Sequence, residues 1–407
     1  MRIAIVCNDS RGGVQPYVGL ALGLRKVGVQ VHAVAPGSLA VMFEAVGVPV
    51  TRLSGDVQSV MRASGGAAEQ GTLASVRFAA RQLRTGIVDA WMRETHVGCE
   101  GADLILGGIG GMGTGLPVAE ALGVPFVEAH LQPLGVPTEA YPPVLAPWVP
   151  ARPAALRRMS HRLSEALFWA SFEGPGRGAR QRVLGIRRAP RAHLDQCVLY
   201  GISPEVVQVP SVAGRRRYTT GFWTLPLAAG WTPPADIATF IASDGPPVVA
   251  IGFGSMTSGD PQALSRLVHG AAIDADVRVV LVGGWGGLAL ENDDTVRTID
   301  AVPFEWLYHH VAAAVHHGGA GTTGASFRAG IPAVVVPFAM DQPFWGARVA
   351  ALGAGPAPIA RKRLTRDRLA EAIRSALAPT VRRRAAELGA RIRAEDGVGE
   401  AVRRLTA

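Results

Sequence analysis

The eight residues 316–323 read His-His-Gly-Gly-Ala-Gly-Thr-Thr, a combination suited to holding an anion. An apolar run at 312–315 precedes them, and a helical stretch that stops at Gly330 follows. A strand, a glycine turn and a helix start aim several backbone N–H groups and the positive end of a helix dipole at one point. The pattern predicts a phosphate or diphosphate site. Its expected contacts are His317, Gly319, Ala320, Gly321, Thr322 and Thr323.

A carboxylate and an amide follow the next predicted strand. That strand, 333–336, ends in Pro337, and Asp341 and Gln342 begin four residues after this proline. Open α/β sheets bind ligands beyond the carboxyl ends of their strands, so Asp341 should face the same crevice as His317. An Asp–Gln pair is suited to sugar hydroxyls. Beside a diphosphate site, it predicts a nucleotide-sugar site.

A second glycine turn lies earlier in the chain, where the apolar run 247–251 leads into Gly252, Gly254 and Ser255. Glycines allow a ligand to approach the backbone closely. We expect Ser255 to add a hydroxyl group to the same cradle.

These segments carry a resemblance to a known family. The runs HHGGAGTT, GIPAVVVP and DQPFW, together with GFGSM and GWGG, resemble the donor site of inverting family-one glycosyltransferases. The most similar branch includes sterol glucosyltransferases and bacterial natural-product glycosyltransferases. The resemblance implies the GT-B fold, an α/β architecture of two Rossmann-like domains facing a central cleft. It also implies that Trp306 contacts the nucleotide base.

The alternation of strands and helices independently predicts parallel, doubly wound sheets. We expect an acceptor-binding domain at 1–222, a linker at 223–234 and a nucleotide-sugar domain at 235–385. Residues 386–407 should form a helix that packs back on the first domain, as the resemblance implies.

Local patterns give further expectations for the first domain. A strand at 2–7 and a loop at 8–15 should precede a helix that begins at Pro16. A mobile loop is expected at 54–71. The further helices expected are 73–95, 155–172 and 176–186. The irregular segment 131–153 contains seven prolines. We interpret it as part of an acceptor wall, with a simple connector as the alternative.

The general base expected from the resemblance is missing. In the family, the loop after the first strand commonly reads S-R-G-D-x-Q-P, or has His in place of Asp, and that residue removes the acceptor proton. Here the loop contains Ser10, Arg11, Gly12 and Gly13, with glycine at the acidic position. Asp9 in the same loop, or His130 at a strand end, could act instead. An acidic acceptor such as a phenol would need less help, and a catalytically inactive relative is the remaining alternative.

A dinucleotide fingerprint is the main competing interpretation of the first domain. Gly108, Gly110 and Gly113 fit G-x-G-x-x-G, and Glu128 lies near the expected acidic position. The segment falls well inside the domain, however, and Pro117 interrupts the helix that it should start. We therefore expect a glycine-lined loop at the edge of the sheet, facing the crevice.

Composition limits the class of protein. The 407 residues fit two domains, and 48% of them are hydrophobic, enough for a large core. Three scattered cysteines do not form a disulfide framework or a zinc site, which favours a reduced, cytoplasmic setting. The N-terminal apolar run is too short for a secretory signal, and no apolar run approaches the length of a membrane span. The net charge of +9 comes mainly from arginines, which we interpret as solvated surface residues. Attraction of these arginines to an acidic donor or to a membrane surface is the alternative.

These patterns predict an enzyme that transfers a sugar from a nucleoside diphosphate, UDP or dTDP, to a small hydrophobic or aromatic acceptor. The nucleotide sugar is a co-substrate, and no separate cofactor, metal or nucleic-acid partner is expected. Alternatives are a sterol or lipid glycosyltransferase at a membrane surface and a non-catalytic relative that acts as a binding partner. The sugar, the acceptor and the oligomeric state stay open.

Overall fold

A computed structural model describes residues 1–55, 74, 86–149, 153–188, 197–210, 216–254, 260–284 and 287–407. These residues form two units, and the chain passes from the first to the second between Leu225 and Pro226, within the expected linker. The segment Asp396–Ala407 belongs to the first unit. The expected return at 386–407 therefore begins only at Asp396.

The described strands of the first unit are β1 (Arg2–Val6), β2 (Gln30–Pro36), β3 (Val50–Leu53), β4 (Leu104–Gly107), β5 (Phe126–His130), β6 (Val198–Tyr200) and β7 (Arg217–Thr219). They form one parallel sheet in the order β3-β2-β1-β4-β5-β6-β7. The inner strands β4 and β5 are buried at every position, as expected for a parallel sheet that is covered on both faces.

The described helices that precede the second unit are α1 (Arg11–Lys26), α2 (Val41–Glu44), α3 (Ile87–Cys99), α4 (Ile109–Leu122) and α5 (Ala154–Ala179). A π-helical turn, Arg180–Leu184, continues α5. The expected helix 73–95 and the expected loop 54–71 lie largely outside the described residues.

Three local predictions for this unit were wrong. α1 begins at Arg11 instead of Pro16, because Val14 and Tyr17 are buried and draw the preceding turn into the helix. The helices expected at 155–172 and 176–186 form the single helix α5 and the π-helical turn that continues it, and Glu173 pairs with Arg177 and Arg180 across the expected break.

The third error concerns the glycines at 108–113, which are not an edge loop. They begin α4, directly after the interior strand β4. A β-carbon on Gly111 would overlap the carbonyl oxygen of Val6, and one on Gly110 would lie 2.5 Å from that of Asn8. These glycines therefore allow α4 to pack closely on the end of β1.

The described strands of the second unit are β8 (Val248–Gly252), β9 (Arg278–Val282), β10 (Val296–Ile299), β11 (Ala313–His316) and β12 (Ala333–Val335). Its described helices are α6 (Ala235–Ala242), α7 (Pro261–Asp274), α8 (Phe304–His310), α9 (Ala320–Ala329), α10 (Gln342–Ala351), α11 (Arg366–Leu377) and α12 (Pro379–Arg393). A 3₁₀ turn at Arg361–Arg363 precedes α11. The parallel strands are arranged in the order β10-β9-β8-β11-β12.

Each sheet has a point at which the order of its strands reverses, and open α/β sheets bind ligands there. In the first unit this point lies between β1 and β4, and in the second it lies between β8 and β11. His316 pairs with Gly252 in the second sheet. The two glycine turns singled out from the sequence therefore leave neighbouring strands at the same edge.

The last helix, α13 (Gly397–Thr406), packs on α1 within the first unit. A β-carbon on Gly23 would overlap Cγ1 of Val398, so the glycine makes room for this contact. The guanidinium of Arg404 lies 4.1 Å from the centre of the Tyr218 ring. Among the described residues, no helix combines the length and the apolar character needed to cross a bilayer.

The packing of α4 can be tested with two glycines of that helix. Gly111→Ala should destabilise the protein by about 1–3 kcal/mol because its methyl group collides with the β1 backbone. Gly113 has open space where a β-carbon would be, so Gly113→Ala should stabilise the protein by roughly 0.4–1 kcal/mol. Urea unfolding measures both changes, and equal effects of the two substitutions would contradict the packing described.

Candidate active site

The turn between β11 and α9 is shaped by two consecutive glycines. Gly318 has a φ of +89°, and a β-carbon there would lie 2.7 Å from Cγ1 of Val335. Its N–H donates to Nδ1 of the fully buried His316, at 3.0 Å. His316 therefore anchors the turn from within the core, and burial lowers its pKa to about 3.

The imidazole of His317 lies between two glycines that come from different loops. A β-carbon on Gly254 would lie 3.1 Å from Cε1 of this ring, and one on Gly319 would lie 2.5 Å from Nε2. Burial lowers the pKa of His317 to about 4, which leaves the ring neutral near pH 7. A neutral imidazole offers one N–H donor and one acceptor. Its Nδ1 is buried and has no hydrogen-bond partner among the described residues.

The start of α9 lies beside this ring. Gly319 is the N-cap and has no side chain with which to cap the helix. The first N–H groups of a helix have no intrahelical acceptor, so those of Ala320, Gly321 and Thr322 can donate to an anion. Thr323 differs from the other predicted contacts because it is fully buried, and its hydroxyl donates to the carbonyl of Gly319 at 2.9 Å.

The loop between β12 and α10 holds Asp341 and Gln342 in different environments. Gln342 is buried, and its Oε1 accepts hydrogen bonds from the N–H groups of Phe338 and Ala339, at 2.8 and 3.1 Å. Asp341 is half-buried, and its Oδ2 accepts from Nε1 of Trp345 at 2.9 Å. Gln342 thus organises the loop, while the carboxylate of Asp341 lies at the loop's surface in a fixed orientation.

Trp306 lies at the start of α8 in an aromatic group. Its ring stacks on that of His310 at 4.8 Å, and the ring of Trp231 lies 5.7 Å away. Trp231 lies in the linker predicted from sequence, where only its position directly after Gly230 and two residues before Pro233 could have drawn attention to it. Ser255, predicted to add a hydroxyl group, lies outside the described residues.

Gly284, after β9, is a further neighbour of this edge and the first residue of the GWGG run noted in the sequence. It has a φ of +53°, and a β-carbon there would lie 3.2 Å from the carbonyl oxygen of Gly254. The loops that follow β8 and β11 therefore meet at His317, and the loop that follows β9 lies against the first of them at Gly254.

In the first unit, Asp9 occupies the space of the missing side chain at position 13. A β-carbon on Gly13 would overlap the carboxyl group of Asp9. Oδ1 of Asp9 accepts a hydrogen bond from the N–H of Ser10, at 2.6 Å. Gly12 has open space instead, and Arg11 is exposed at the first turn of α1. Only glycine at position 13 accommodates this orientation of Asp9.

His130 ends β5 and is buried, as is Glu128 two residues earlier. Its Nε2 lies 3.0 Å from Oε2 of Glu128, and its Nδ1 is buried without a hydrogen-bond partner among the described residues. A carboxylate that orients an imidazole is a common arrangement for a general base. From sequence, Glu128 is only the acidic position of a dinucleotide fingerprint, because its distance from His130 depends on how the strand orients the two side chains.

Protein atoms fill the space around the glycine that opens the fingerprint. A β-carbon on Gly108 would overlap the hydroxyl oxygen of Tyr17 and lie 2.6 Å from the carbonyl of Ala129. Tyr17 donates a hydrogen bond to that carbonyl at 2.5 Å. Close packing inside the unit therefore accounts for glycine at this position. In the described part of the chain, no group of three or more His, Cys, Asp or Glu side chains is placed to hold a metal ion.

The chain is similar to known proteins along its whole length. Residues 266–407 match the C-terminal domain family described as erythromycin biosynthesis protein CIII-like. The whole chain is 34% identical over 423 aligned residues to a sterol 3-beta-glucosyltransferase of Penicillium rubens. It spans 30% of the length of that relative.

Solved structures show the same fold. The glycosyltransferase SnogD from Streptomyces nogalater superimposes with a TM-score of 0.65 at 21% identity, covering 100% of this chain and 99% of that one. SsfS6 from Streptomyces sp. SF2575, complexed with thymidine diphosphate, gives a TM-score of 0.64 at 19% identity, with 100% and 99% coverage. The chain has the GT-B fold. The matches support a family-one glycosyltransferase, which confirms the resemblance predicted from the motifs.

The buried His316 makes the protein sensitive to acid. The unfolded chain takes up a proton at this residue below a pKa near 6.5, whereas the folded protein does so only below about 3. Stability should therefore fall as the pH decreases from about 6.5 towards 3, by at most roughly 1.4 kcal/mol per pH unit from this residue. In His316→Asn, the side-chain oxygen can accept the Gly318 N–H and does not titrate. Urea unfolding at pH 7.5, 6 and 5 gives the free energy of unfolding, which should depend less on pH in the variant than in the wild type. The same pH dependence in both proteins would contradict this role of His316.

Proposed function

We propose that this protein transfers a sugar from a nucleoside diphosphate donor to a hydroxyl group of a small hydrophobic acceptor, with inversion at the anomeric carbon. The observation that carries the proposal is the turn between β11 and α9. There a neutral His317 and the uncapped start of a ten-residue helix meet at the reversal point of a parallel sheet. We assign the donor to the second unit and the acceptor to the first.

The donor's diphosphate is assigned to the N–H groups of Ala320, Gly321 and Thr322 and to the imidazole of His317. Negative charge increases on the diphosphate as it leaves, so donors already aimed at it lower the barrier. Protonation of His317 in the free protein is disfavoured by burial. A bound diphosphate would favour it, since a nearby opposite charge raises the pKa of a histidine.

The sugar hydroxyls are assigned to the carboxylate of Asp341. Its fixed hydrogen bond to Trp345 supports this role, because an oriented carboxylate can select the position of a hydroxyl group. Gln342 is assigned mainly to holding the loop, since its Oε1 already accepts two backbone N–H groups. The nucleotide base is assigned to the surface of Trp306. Uridine and thymidine donors both remain candidates, and the SsfS6 complex with thymidine diphosphate supports a thymidine donor.

Two acceptor classes have specific support. Natural-product acceptors, including aromatic ones, are supported by the erythromycin-type domain and by the glycosyltransferase structures. A sterol acceptor at a membrane surface is supported by the 34% identity to sterol 3-beta-glucosyltransferase along the whole chain. Paired assays with a phenolic and a sterol acceptor distinguish the two classes. Turnover of neither, with the donor bound, would favour a non-catalytic binding partner.

Removal of the proton from the acceptor hydroxyl group is assigned to Asp9. A β-carbon added at position 13 would overlap the Asp9 carboxyl group. This supports the assignment, because the carboxylate lies where the family's usual base would be. His130, oriented by Glu128, is the alternative base. We propose that the reaction proceeds in the cytoplasm and needs neither a metal ion nor a cofactor besides the nucleotide sugar.

The donor site is tested by paired substitutions. His317→Ala should lower turnover on the order of 10²–10³-fold, as for removal of one donor that stabilises developing charge. Asp341→Asn should weaken use of the nucleotide sugar while leaving affinity for the free nucleoside diphosphate unchanged. Steady-state kinetics and calorimetry measure both effects, with EDTA present in a parallel series. Wild-type turnover in a folded His317→Ala variant would refute the diphosphate assignment, and loss of activity in EDTA that magnesium restores would refute the metal-free reaction.

The base is tested by moving the carboxylate within its loop. Asp9→Gly should lower kcat/KM about 10²–10⁴-fold, the usual contribution of general-base assistance. Adding Gly13→Asp should restore much of the activity, because the new side chain enters the vacated space. The matched control adds Gly12→Asp instead, which points a carboxylate into open space and should restore nothing.

The Asp9→Gly variant should lose less activity towards phenolic acceptors than towards aliphatic alcohols, since a phenol titrates near a pKa of about 10 and needs less help to release its proton. Full activity of Asp9→Gly towards an alcohol would remove Asp9 as the base. Loss of activity in a folded His130→Ala variant would then support His130.

A further inference from the structure

The helix α5 has an unusual distribution of side chains. Its outward face carries Leu156, Met159, Leu163 and Leu167, which are 45%, 56%, 57% and 62% exposed. We call these four residues the apolar stripe. Spacings of three, four and four residues place them along one side of a helix. A surface helix normally directs its apolar side towards the core, so this arrangement is inverted.

The inward face of α5 is polar and has its own partners. His161 is buried, and its Nε2 forms a hydrogen bond with the carbonyl oxygen of Tyr141 at 3.0 Å. One turn further on, Oε1 of Glu165 accepts from the N–H of Gly135 at 2.8 Å. Burial raises the pKa of Glu165, consistent with its inward position. The helix is therefore fixed in this orientation, and the apolar stripe is exposed as a consequence.

Positive charge lies beside the apolar stripe. Arg158 and Arg162 are exposed and each immediately precedes a stripe residue, so they lie on the same side of it, one turn apart. Arg158 pairs with Glu139. The side chain of Arg162 forms no ion pair or hydrogen bond with the residues that the structure describes. The chain as a whole has a net charge of +9, which adds a long-range attraction to anionic surfaces.

We propose that the apolar stripe of α5 binds the surface of an anionic lipid bilayer, with the helix lying in the plane of the membrane. Leucine and methionine side chains enter the boundary between headgroups and acyl chains, and the neighbouring arginines remain among the anionic headgroups. The stripe covers eleven residue steps from Leu156 to Leu167, or about 16 Å of helix at 1.5 Å per residue. This arrangement fits a peripheral contact. It brings the first unit to lipid-soluble acceptors and does not depend on which acceptor class is correct.

Co-sedimentation of the intact protein with vesicles tests the proposal without using catalysis. Wild type should pellet with vesicles of phosphatidylcholine and phosphatidylglycerol, and much less with phosphatidylcholine alone. Raising the salt from about 0.05 to 0.5 M should weaken the binding, because screening increases with ionic strength.

The double variant Leu163→Gln with Leu167→Gln should bind anionic vesicles at least about tenfold more weakly, because buried apolar area provides most of the affinity. The matched control is Val97→Gln with Ile273→Gln, two apolar residues that are 60% and 56% exposed on other helices. Arg162→Gln should weaken binding to anionic vesicles and leave binding to neutral vesicles unchanged. Arg382 is an exposed arginine of α12, and Arg382→Gln should leave binding to both kinds of vesicle unchanged.

Circular dichroism and turnover of a water-soluble acceptor without vesicles should be unchanged in the stripe variant. If the protein were not a glycosyltransferase, the turnover assay would show no product, while co-sedimentation with vesicles would be unaffected. Absence of wild-type binding to either vesicle, or equal binding by the stripe and control variants, would overturn the proposal. A concentration-dependent dimer that the stripe variant loses, without vesicle binding, would overturn it in favour of self-association.

Discussion

The second unit of this protein depends on a close approach of backbone segments around the imidazole of His317. The ring has space only because Gly254 and Gly319 lack side chains on either side of it. Gly318 takes a left-handed conformation so that the chain can leave β11 and enter α9 within one turn. His316 anchors this turn from below by accepting the Gly318 N–H. A side chain at any of these glycines would displace the ring or the start of the helix.

The first unit uses glycines at the corresponding edge of its own sheet. Gly110 and Gly111 bring α4 against the end of β1, and Gly13 leaves space for the Asp9 carboxyl group. Replacing the usual acidic residue by glycine therefore makes room for a carboxylate four positions earlier in the loop. Under the proposed mechanism, the catalytic carboxylate would therefore come from Asp9 and not from residue 13.

Polar groups inside the first unit influence its surface. His161 and Glu165 on α5 use their hydrogen bonds with backbone atoms of the irregular segment that precedes the helix. That segment is itself largely buried, through residues such as Leu134, Val136 and Leu145. Breaking the hydrogen bond of a buried polar group costs free energy, so these contacts hold α5 in one rotational orientation. Four large apolar side chains then face outwards, although the helix is well fixed.

The sequence by itself determined the fold class and the family resemblance, and it singled out the segments that we propose for the donor site. Buried parallel strands are continuous apolar runs, and a turn that holds a diphosphate needs glycines and helix N–H groups, so both leave local patterns. Helix boundaries were less certain, because tertiary burial of Val14 and Tyr17 extended α1 and ion pairs of Glu173 joined two expected helices into α5. Only the tertiary structure showed that Asp9 occupies the space beside Gly13, that Glu128 orients His130 and that the apolar side of α5 faces outwards. Each of these depends on distances or side-chain directions that are set by packing, and spacing along the chain does not encode them.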